Sequence, residues 1–369
     1  DRAVGAMGVL TAMLHERFRA GGTPVALVSM DNCAGNGKLL RESVLTMARV
    51  WKSGGFVEQA FLDWLEREEN VAFDSTMIDK ITPRPSEEIA RDLENMGIAD
   101  MQPVVTGKRT YIAPFANAER PQYLVIEDRF PNGRPALEKG FGVYLGDFET
   151  VRKSERMKVT VCLNPAHTAV GPLGVVLGQE RFADMLRDLP VTLKMARRVA
   201  FDEGMPVVPD PGILSPKAFA DEVFERFQNL YLGDTNLRLA TDASQGLSVR
   251  FGETIKSYVA KDGTASALIA IPLGIAGFFR YAMGLDDQGK PFELAPDPLV
   301  PEIHEALRQV KLGSPGSYHG ELRPYLSNES IFGIDLYKAG LGEKIEGYFA
   351  EMIAGSGAAL KTIEKYINE

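Results

Sequence analysis

The run Val25-Ala26-Leu27-Val28-Ser29-Met30 ends in Asp31-Asn32-Cys33-Ala34-Gly35-Asn36-Gly37, and helical periodicity follows over residues 39–51. A largely apolar run closed by turn residues and continued by an amphipathic helix predicts a buried strand that delivers a loop at its carboxyl end. The same alternation surrounds it. Val4, Met7, Leu10, Leu14 and Phe18 recur at helical spacing and stop at Gly21-Gly22, and a second helical pattern covers 56–64. A short strand over 71–73 then leads into a polar loop over 74–79. Strand, loop and helix in turn specify an α/β layer arrangement, with functional loops at strand ends.

Over residues 95–146 the helical periodicity fades, and the β-rich pieces 123–126 and 142–145 flank the turn-rich Phe130-Pro131-Asn132-Gly133-Arg134-Pro135. From about residue 151 the pattern is mostly helical, with segments at 182–186, 218–231, 255–259 and 303–310 and a final pair over 341–367 interrupted by Gly355-Ser356-Gly357. A chain of 369 residues exceeds one ordinary core. The expected division is therefore an α/β domain with a β-rich insertion over 1–150 and an α-helical domain over 151–369.

Composition excludes several classes. With 45% hydrophobic and 25% charged residues, the chain has the make-up of a soluble globular protein. The apolar stretch 265–279 is broken by Pro272, Gly274 and Gly277 and falls short of the roughly 20 residues of a spanning helix, so no transmembrane segment is expected. A net charge of −9 argues against a nucleic-acid partner. Two cysteines, Cys33 and Cys162, make no disulfide framework, and the cytoplasm is the expected compartment. His15, His167, His304 and His319 are dispersed, with no Cys-x-x-Cys or His-Glu-x-x-His spacing, which favours metal-independent chemistry. Gly140, Gly142 and Gly146 have one residue too many for a dinucleotide fingerprint and no helix behind them, and are read as turn glycines. The chain opens at Asp1 without an initiator Met, directly in helix-like sequence, and is read as a fragment or processed form.

Two clusters could carry chemistry: Asp31-Asn32 with Asn36-Gly37, and Lys158 with Asn164 and His167. Converting an alcohol to a ketone by hydride loss requires a base for the hydroxyl proton and donors that stabilise charge on the oxygen. Lysine, asparagine and histidine supply these, provided the lysine gives up its proton readily, which burial among Met157, Val159 and Val161 favours. Pro165 suits a first helical position, which makes Asn164 the expected N-cap of a helix carrying His167 on the same side. The alternative is that Asn164 only caps, His167 is structural and Lys158 lies on the surface.

Four ordered blocks resemble the mannitol dehydrogenase family of polyol-specific dehydrogenases. The run 30–37 is similar to its Asp-Asn…Asn-Gly segment, and Ser75-Thr76-Met77-Ile78-Asp79-Lys80-Ile81-Thr82-Pro83 to its Met-Val-Asp-Arg-Ile-x-Pro. Val125-Ile126-Glu127-Asp128-Arg129-Phe130-Pro131-Asn132-Gly133-Arg134-Pro135 resembles Ile-Glu-Asp-x-Phe-x-x-Gly-Arg-Pro, and Lys158 through Leu163-Asn164-Pro165-Ala166-His167 resembles Lys…Leu-Asn-x-x-His. Looser matches fall at Arg238-Leu239-Ala240-Thr241-Asp242, Arg280-Tyr281 and Asp297-Pro298.

The resemblance implies the later portion of a Rossmann-type NAD-binding domain followed by a mainly helical substrate domain, with the active site in the cleft between them. It implies Lys158 as general base, Asn164 and His167 as polarising groups, and Asn32, Ile78 and Asp79 at the nicotinamide. Asn32, Asp79 and Arg238 would contact substrate, Arg238 through a carboxylate if the substrate is a sugar acid. Asn32 as a cap, Asp79 as an Asx-turn residue and Arg238 as a solvated residue remain the alternatives. The implied reaction is oxidation of a linear sugar acid or polyol, with D-mannonate and fructuronate favoured and mannitol oxidation as the alternative. A non-catalytic remnant or interaction module is the reading from a different class. NAD is the expected cofactor, and NADP is not distinguished from it, because the ribose-reading residue belongs to a segment ahead of these blocks.

Three departures accompany the resemblance. Five residues separate Lys158 from Asn164 where four are expected, which requires a bulge. A lysine expected beyond Arg238 is replaced near Gly246. The family's first Rossmann strand and glycine-rich turn do not precede Asp1, so the sheet is expected to have an unpaired edge.

Overall fold

The computed structural model describes residues 5–80, 82, 85–116 and 118–368. Asp1 and Val4, named above, and Ile81 and Pro83 of the second motif block lie outside the described residues. In chain order the first elements are α1 (Ala6–Arg19), β1 (Val25–Val28), α2 (Asn36–Ser53), α3 (Gln59–Glu66), β2 (Val71–Asp74), β3 (Thr76–Asp79), α4 (Glu87–Asn95), β4 (Val104–Val105), β5 (Tyr111–Ile112), β6 (Tyr123–Glu127) and β7 (Val143–Gly146). Helices follow: α5 (Phe148–Met157), α6 (Asn164–Val176), α7 (Phe182–Asp188), α8 (Pro190–Arg197), α9 (Pro216–Phe227), α10 (Asn236–Ala240), α11 (Glu253–Asp262) and α12 (Ala270–Ala282). The last are α13 (Val300–Ala306), α14 (Arg323–Leu326), α15 (Glu329–Phe332), α16 (Gly342–Met352) and α17 (Ala358–Asn368). The chain divides into two compact units. Asp1–Thr82, Ala118–Glu155 and Pro211–Ile213 form one; Pro83–Asn117, Arg156–Asp210 and Leu214–Glu369 form the other.

The first unit is of Rossmann type. β1 and β2 pair in parallel, Val25 opposite Val71 and Val28 opposite Asp74. Val44, Leu45 and Ala48 of α2 and Phe61 and Leu65 of α3 bury against Leu14, Val71 and Phe73. Each fully buried Leu or Phe in such a cluster contributes on the order of 2 kcal/mol. Two expectations need correction. β1 is half-buried at all four positions rather than buried, because its only strand partner among the described residues is β2. The stretch 74–79 is no polar loop: Ser75 alone separates β2 from β3, whose Met77 and Ile78 pair antiparallel with Val125 and Leu124. The polar letters at 74–76 conceal a strand because all three residues are buried, with the Thr76 hydroxyl bonded to Asn36 and Ser29. β6 also pairs in parallel with β7, completing a β3-β6-β7 sheet. Gly142, at φ 71°, sits where a Cβ would fall 2.1 Å from the Gln122 carbonyl oxygen, so it serves a turn into β7.

The second unit is helical. Residues 148–176 run as one helical segment, long and apolar enough to cross a membrane by length and composition, yet 72% of its apolar window is buried inside the protein. The part of it from Arg156 onward lies in this unit and supplies its core helix. α12, which contains most of the apolar stretch 265–279, is buried at every position and lies against α6. The two approach closely because Gly277 has no side chain: a Cβ there would fall 2.5 Å from Leu173 Cγ. The N-terminus of α12 is closed by the buried Glu203 carboxylate, which accepts from the backbone N–H groups of Ile269 (2.7 Å), Ala270 (2.6 Å) and Ile271 (2.8 Å). Three donors that a helix start leaves open are thereby satisfied.

A paired substitution tests the packing. Gly277→Ala should lower stability by about 1–3 kcal/mol, since overpacking outweighs the helix-propensity gain. Gly347→Ala, at an exposed position of α16 with nothing within 4 Å, should raise it by up to about 1 kcal/mol. Urea midpoints moving in the same direction for both would refute the close-approach account.

Candidate active site

The loop after β1 is held from beneath by Asn36. Its side-chain oxygen accepts from Thr76 N–H at 3.0 Å, and its amide nitrogen lies 2.7 Å from Asp31 O, 3.0 Å from Thr76 Oγ1 and 3.1 Å from Thr76 O. Thr76 Oγ1 donates to Ser29 O at 2.6 Å. One buried amide therefore ties the end of β1 to the start of β3, and the loop it anchors presents Asn32 to solvent. Asn36 belongs to the first cluster named above, but its anchoring role was not expected from the sequence, because Thr76 lies 40 residues downstream. Ile78 is half-buried, and Asp79 is buried opposite Tyr123 in β3, so Asp79 is a strand residue and not an Asx-turn residue.

The Glu127-Asp128-Arg129 block is an ion network under this edge. Arg129 Nε lies 2.7 Å from Glu127 Oε1 and 3.6 Å from Asp74 Oδ1, and its Nη2 donates to Phe73 O at 3.1 Å. Glu127 Oε2 accepts from Ser75 N–H at 3.0 Å. Arg134 holds Asp128 in a two-pronged contact, 2.7 and 2.8 Å. Asp74 is fully buried, with no hydrogen-bond partner among the described residues. Burial pushes its carboxyl up to about 7, against the opposing pull of Arg129.

Lys158 begins a π-helical segment, Lys158–Cys162, between α5 and α6. Leu163 N–H donates to Lys158 O at 3.0 Å, one residue further back than in an α-helix. The widened turn absorbs the extra residue between Lys158 and Asn164. In that register Thr160 O would take its bond from residue 165, a proline without N–H. Thr254 Oγ1 donates to it instead, at 3.1 Å. A bend at Leu163 separates the π segment from α6, which starts at Asn164 as expected. Asn164 is the first residue of α6, Leu163 occupies the cap position, and no side chain caps the turn, which corrects the expected capping role.

Lys158 is buried, contrary to the surface alternative. Asn164 and His167 are half-buried, three residues apart on α6. The His167 ring stacks on Phe227 (4.2 Å) and meets Phe182 edge-on (4.9 Å). Its pKa is lowered to about 3, by burial first and then by the charges of Arg226, Arg250 and Arg238. It is a neutral imidazole near neutral pH, able to donate one hydrogen bond and accept another.

Residues 4–139 match the mannitol dehydrogenase Rossmann domain and residues 150–352 the mannitol dehydrogenase C-terminal domain. The chain belongs to the mannitol dehydrogenase family. It is 49% identical over 364 residues to the D-mannonate oxidoreductase of Thermotoga maritima, covering 98% of this chain and 67% of that protein. It is 31% identical over 369 residues to the mannitol 2-dehydrogenase of Aspergillus fumigatus, covering 98% and 65%. The fold resembles Pseudomonas fluorescens mannitol 2-dehydrogenase in ternary complex with NAD and D-mannitol (TM-score 0.69, 24% identity, 99% of this chain and 66% of that one). It also resembles substrate-free D-sorbitol dehydrogenase (TM-score 0.73, 24% identity, 96% and 66%). The chain thus spans about two thirds of the length of these relatives.

A Rossmann-type domain of this family holds its dinucleotide beyond the carboxyl ends of the parallel strands. The exposed Asn32 beyond β1, the half-buried Ile78 and the buried Asp79 offer one amide, one apolar face and one carboxylate, a donor set that fits the nicotinamide end of NAD. Arg238 is exposed and paired with Asp234 (Nη2–Oδ1 2.5 Å), and no lysine stands between it and Gly246. The looser family blocks are architectural. Arg280 donates to the carbonyls of Leu285 (2.6 Å) and Asp286 (2.8 Å), and Asp297 accepts from Ser244 N–H at 2.8 Å.

Two measurements follow from these local structures. Thr254→Val should cost about 1–2 kcal/mol, by leaving Thr160 O without its donor, and should lower turnover if the π-turn positions Lys158. An unchanged urea midpoint would remove the hydroxyl's structural role. For Asp74, whose folded pKa lies above its unfolded value, the native state binds the extra proton across about pH 4 to 7, so stability falls as pH rises through that window and is flat above it. Asp74→Asn should therefore gain stability over the wild type at pH 8, by roughly 3–6 °C in melting temperature, and lose that advantage near pH 4. A pH-independent difference would contradict a buried, protonated Asp74.

Proposed function

We propose that the protein carrying this chain is an NAD-dependent oxidoreductase that interconverts D-mannonate and fructuronate, with Lys158 as general base. The observation that carries this reading is the widened turn that buries Lys158 six residues ahead of Asn164, with a neutral His167 one turn further on. Identity of 49% to a D-mannonate oxidoreductase supports the sugar-acid substrate.

In the oxidative direction, Lys158 Nζ takes the proton of the reacting hydroxyl. The Asn164 amide donates to that oxygen as negative charge grows on it, a contact that strengthens in the transition state. His167, neutral across the working range, hydrogen-bonds the adjacent hydroxyl and holds the substrate beside Asn164. Bound nicotinamide supplies the hydride acceptor. Asn32, Ile78 and Asp79 are the residues that would hold it. Arg238 contacts the far end of the substrate. A cytoplasmic location accompanies this reading on the scarcity of cysteine, and the acidic charge balance argues against a nucleic-acid partner.

The test is reduced-cofactor consumption by the full-length protein with fructuronate, tagaturonate and fructose in parallel, and NADPH as control. Turnover of fructuronate with NADH is expected. Turnover of fructose alone would move the assignment to a polyol dehydrogenase, in line with the 31% identity to a mannitol 2-dehydrogenase, and no turnover with any of them would remove the reading. Lys158→Ala should reduce kcat by about 10²–10⁴-fold while keeping its unfolding midpoint. Near-normal turnover would reject Lys158 as the base.

A further inference from the structure

Arg250 lies in the π-helical segment Ser248–Gly252, ahead of α11. Its Nη1 donates to Thr168 Oγ1 at 2.9 Å, and Thr168 follows His167 directly on α6. That contact uses one N–H of a guanidinium that has five. No carboxylate lies within ion-pair distance of Arg250 among the described residues. Other arginines are engaged: Arg238 with Asp234, Arg134 with Asp128 and Arg156 with Glu253. Arg250 is half-buried and partly stripped of water, and a cation in that state without a counter-ion is costly to keep.

The space for its head group is made by Gly246. A Cβ built there would lie 2.5 Å from Arg250 Nε and 2.7 Å from Cζ, so the guanidinium rests against the bare α-carbon. Gly246 ends the short 3₁₀ turn Ala243–Gly246, which is tied down at two points: Asp297 accepts from Ser244 N–H at 2.8 Å, and Asp242 N–H donates to Pro296 O at 3.0 Å. The guanidinium is therefore placed by a fixed backbone and a hydroxyl, with no charge committed to either.

We propose that Arg250 receives the carboxylate of the substrate and sets the preference for a sugar acid over a neutral polyol, an inference that rests on the sugar-acid reading of this site. A carboxylate meeting the unused edge of the fork would form two charge-assisted hydrogen bonds and neutralise the partly desolvated cation. The exposed Arg238, already paired with Asp234, would gain less from the same contact.

Two experiments on the full-length protein with bound NADH decide it. The first measures affinity for D-mannonate and for mannitol by calorimetry, in the wild type, Arg250→Met and Gly246→Val. Arg250→Met should weaken D-mannonate binding by about 10- to 100-fold relative to mannitol, and Gly246→Val should do the same by displacing the guanidinium. The double variant should be little worse than either single one, because both remove one interaction. Equal loss for both ligands, or additive losses, would make Arg250 a packing residue and overturn the proposal. The second experiment is fructuronate turnover by the wild type. If the wild type binds D-mannonate through Arg250 but does not reduce fructuronate, the functional reading falls and the carboxylate site stands. If it reduces fructuronate while Arg250→Met keeps the wild-type preference, the carboxylate site falls and the functional reading stands. Absence of any sugar-acid binding by the wild type would overturn both.

Discussion

A long buried helix cannot accept an extra residue by sliding, and that constraint shapes the chemistry of the helical unit. α6 is pinned against α12 where Gly277 admits Leu173, so residues downstream of position 164 cannot shift along the axis without opening the core. The surplus between Lys158 and Asn164 is taken up by widening one turn, and the carbonyl that Pro165 would strand is satisfied by Thr254. π-turns inside α-helices are concentrated at functional sites because they re-aim a side chain without ending the helix. Here the re-aimed residue is Lys158, buried at the start of the turn.

Much of this was legible in the residues. The strand, loop and helix over 25–51 announce themselves by hydrophobic period, and so do the helices after 151. The six-residue step from Lys158 to Asn164 revealed that a bulge was needed but not its form, because a bulge in a strand and a π-turn in a helix leave the same count. Pro165 pointed to a helix start, and α6 does begin beside it at Asn164; what it did not reveal is that Leu163, not Asn164, takes the cap position. β3 was hidden behind Asp74-Ser75-Thr76, whose polarity is spent on Arg129, Glu127 and Asn36 rather than on water. The anchoring role of Asn36 and the presence of Arg250 went unseen for one reason: Thr76 and Thr168 lie 40 and 82 residues away.

Burial pushes up the carboxyls of both Asp74 and Glu203, and the two differ in how many donors pull back. Glu203 is surrounded by three backbone N–H groups at the start of α12, so it can cap that helix from the interior. Asp74 has only an Arg129 contact at 3.6 Å, which Glu127 and Glu68 also claim, and it keeps its proton up to about pH 7 instead. Burial alone does not decide the charge of such a group. The number of donors aimed at it does.

The same accounting applies to the cations around His167. The charges of Arg226, Arg250 and Arg238 add to burial in keeping the imidazole neutral, which suits the proposed role of hydrogen-bonding a hydroxyl. A positive field that favours neutral imidazole also favours an anion, so one set of guanidiniums can keep His167 in its useful form and draw a carboxylate toward it. A neutral polyol would exploit only the first of these effects. The cost of holding Arg250 partly desolvated beside bare Gly246 is offset only when a negative ligand arrives. That asymmetry favours a sugar acid as the substrate for which this arrangement is suited.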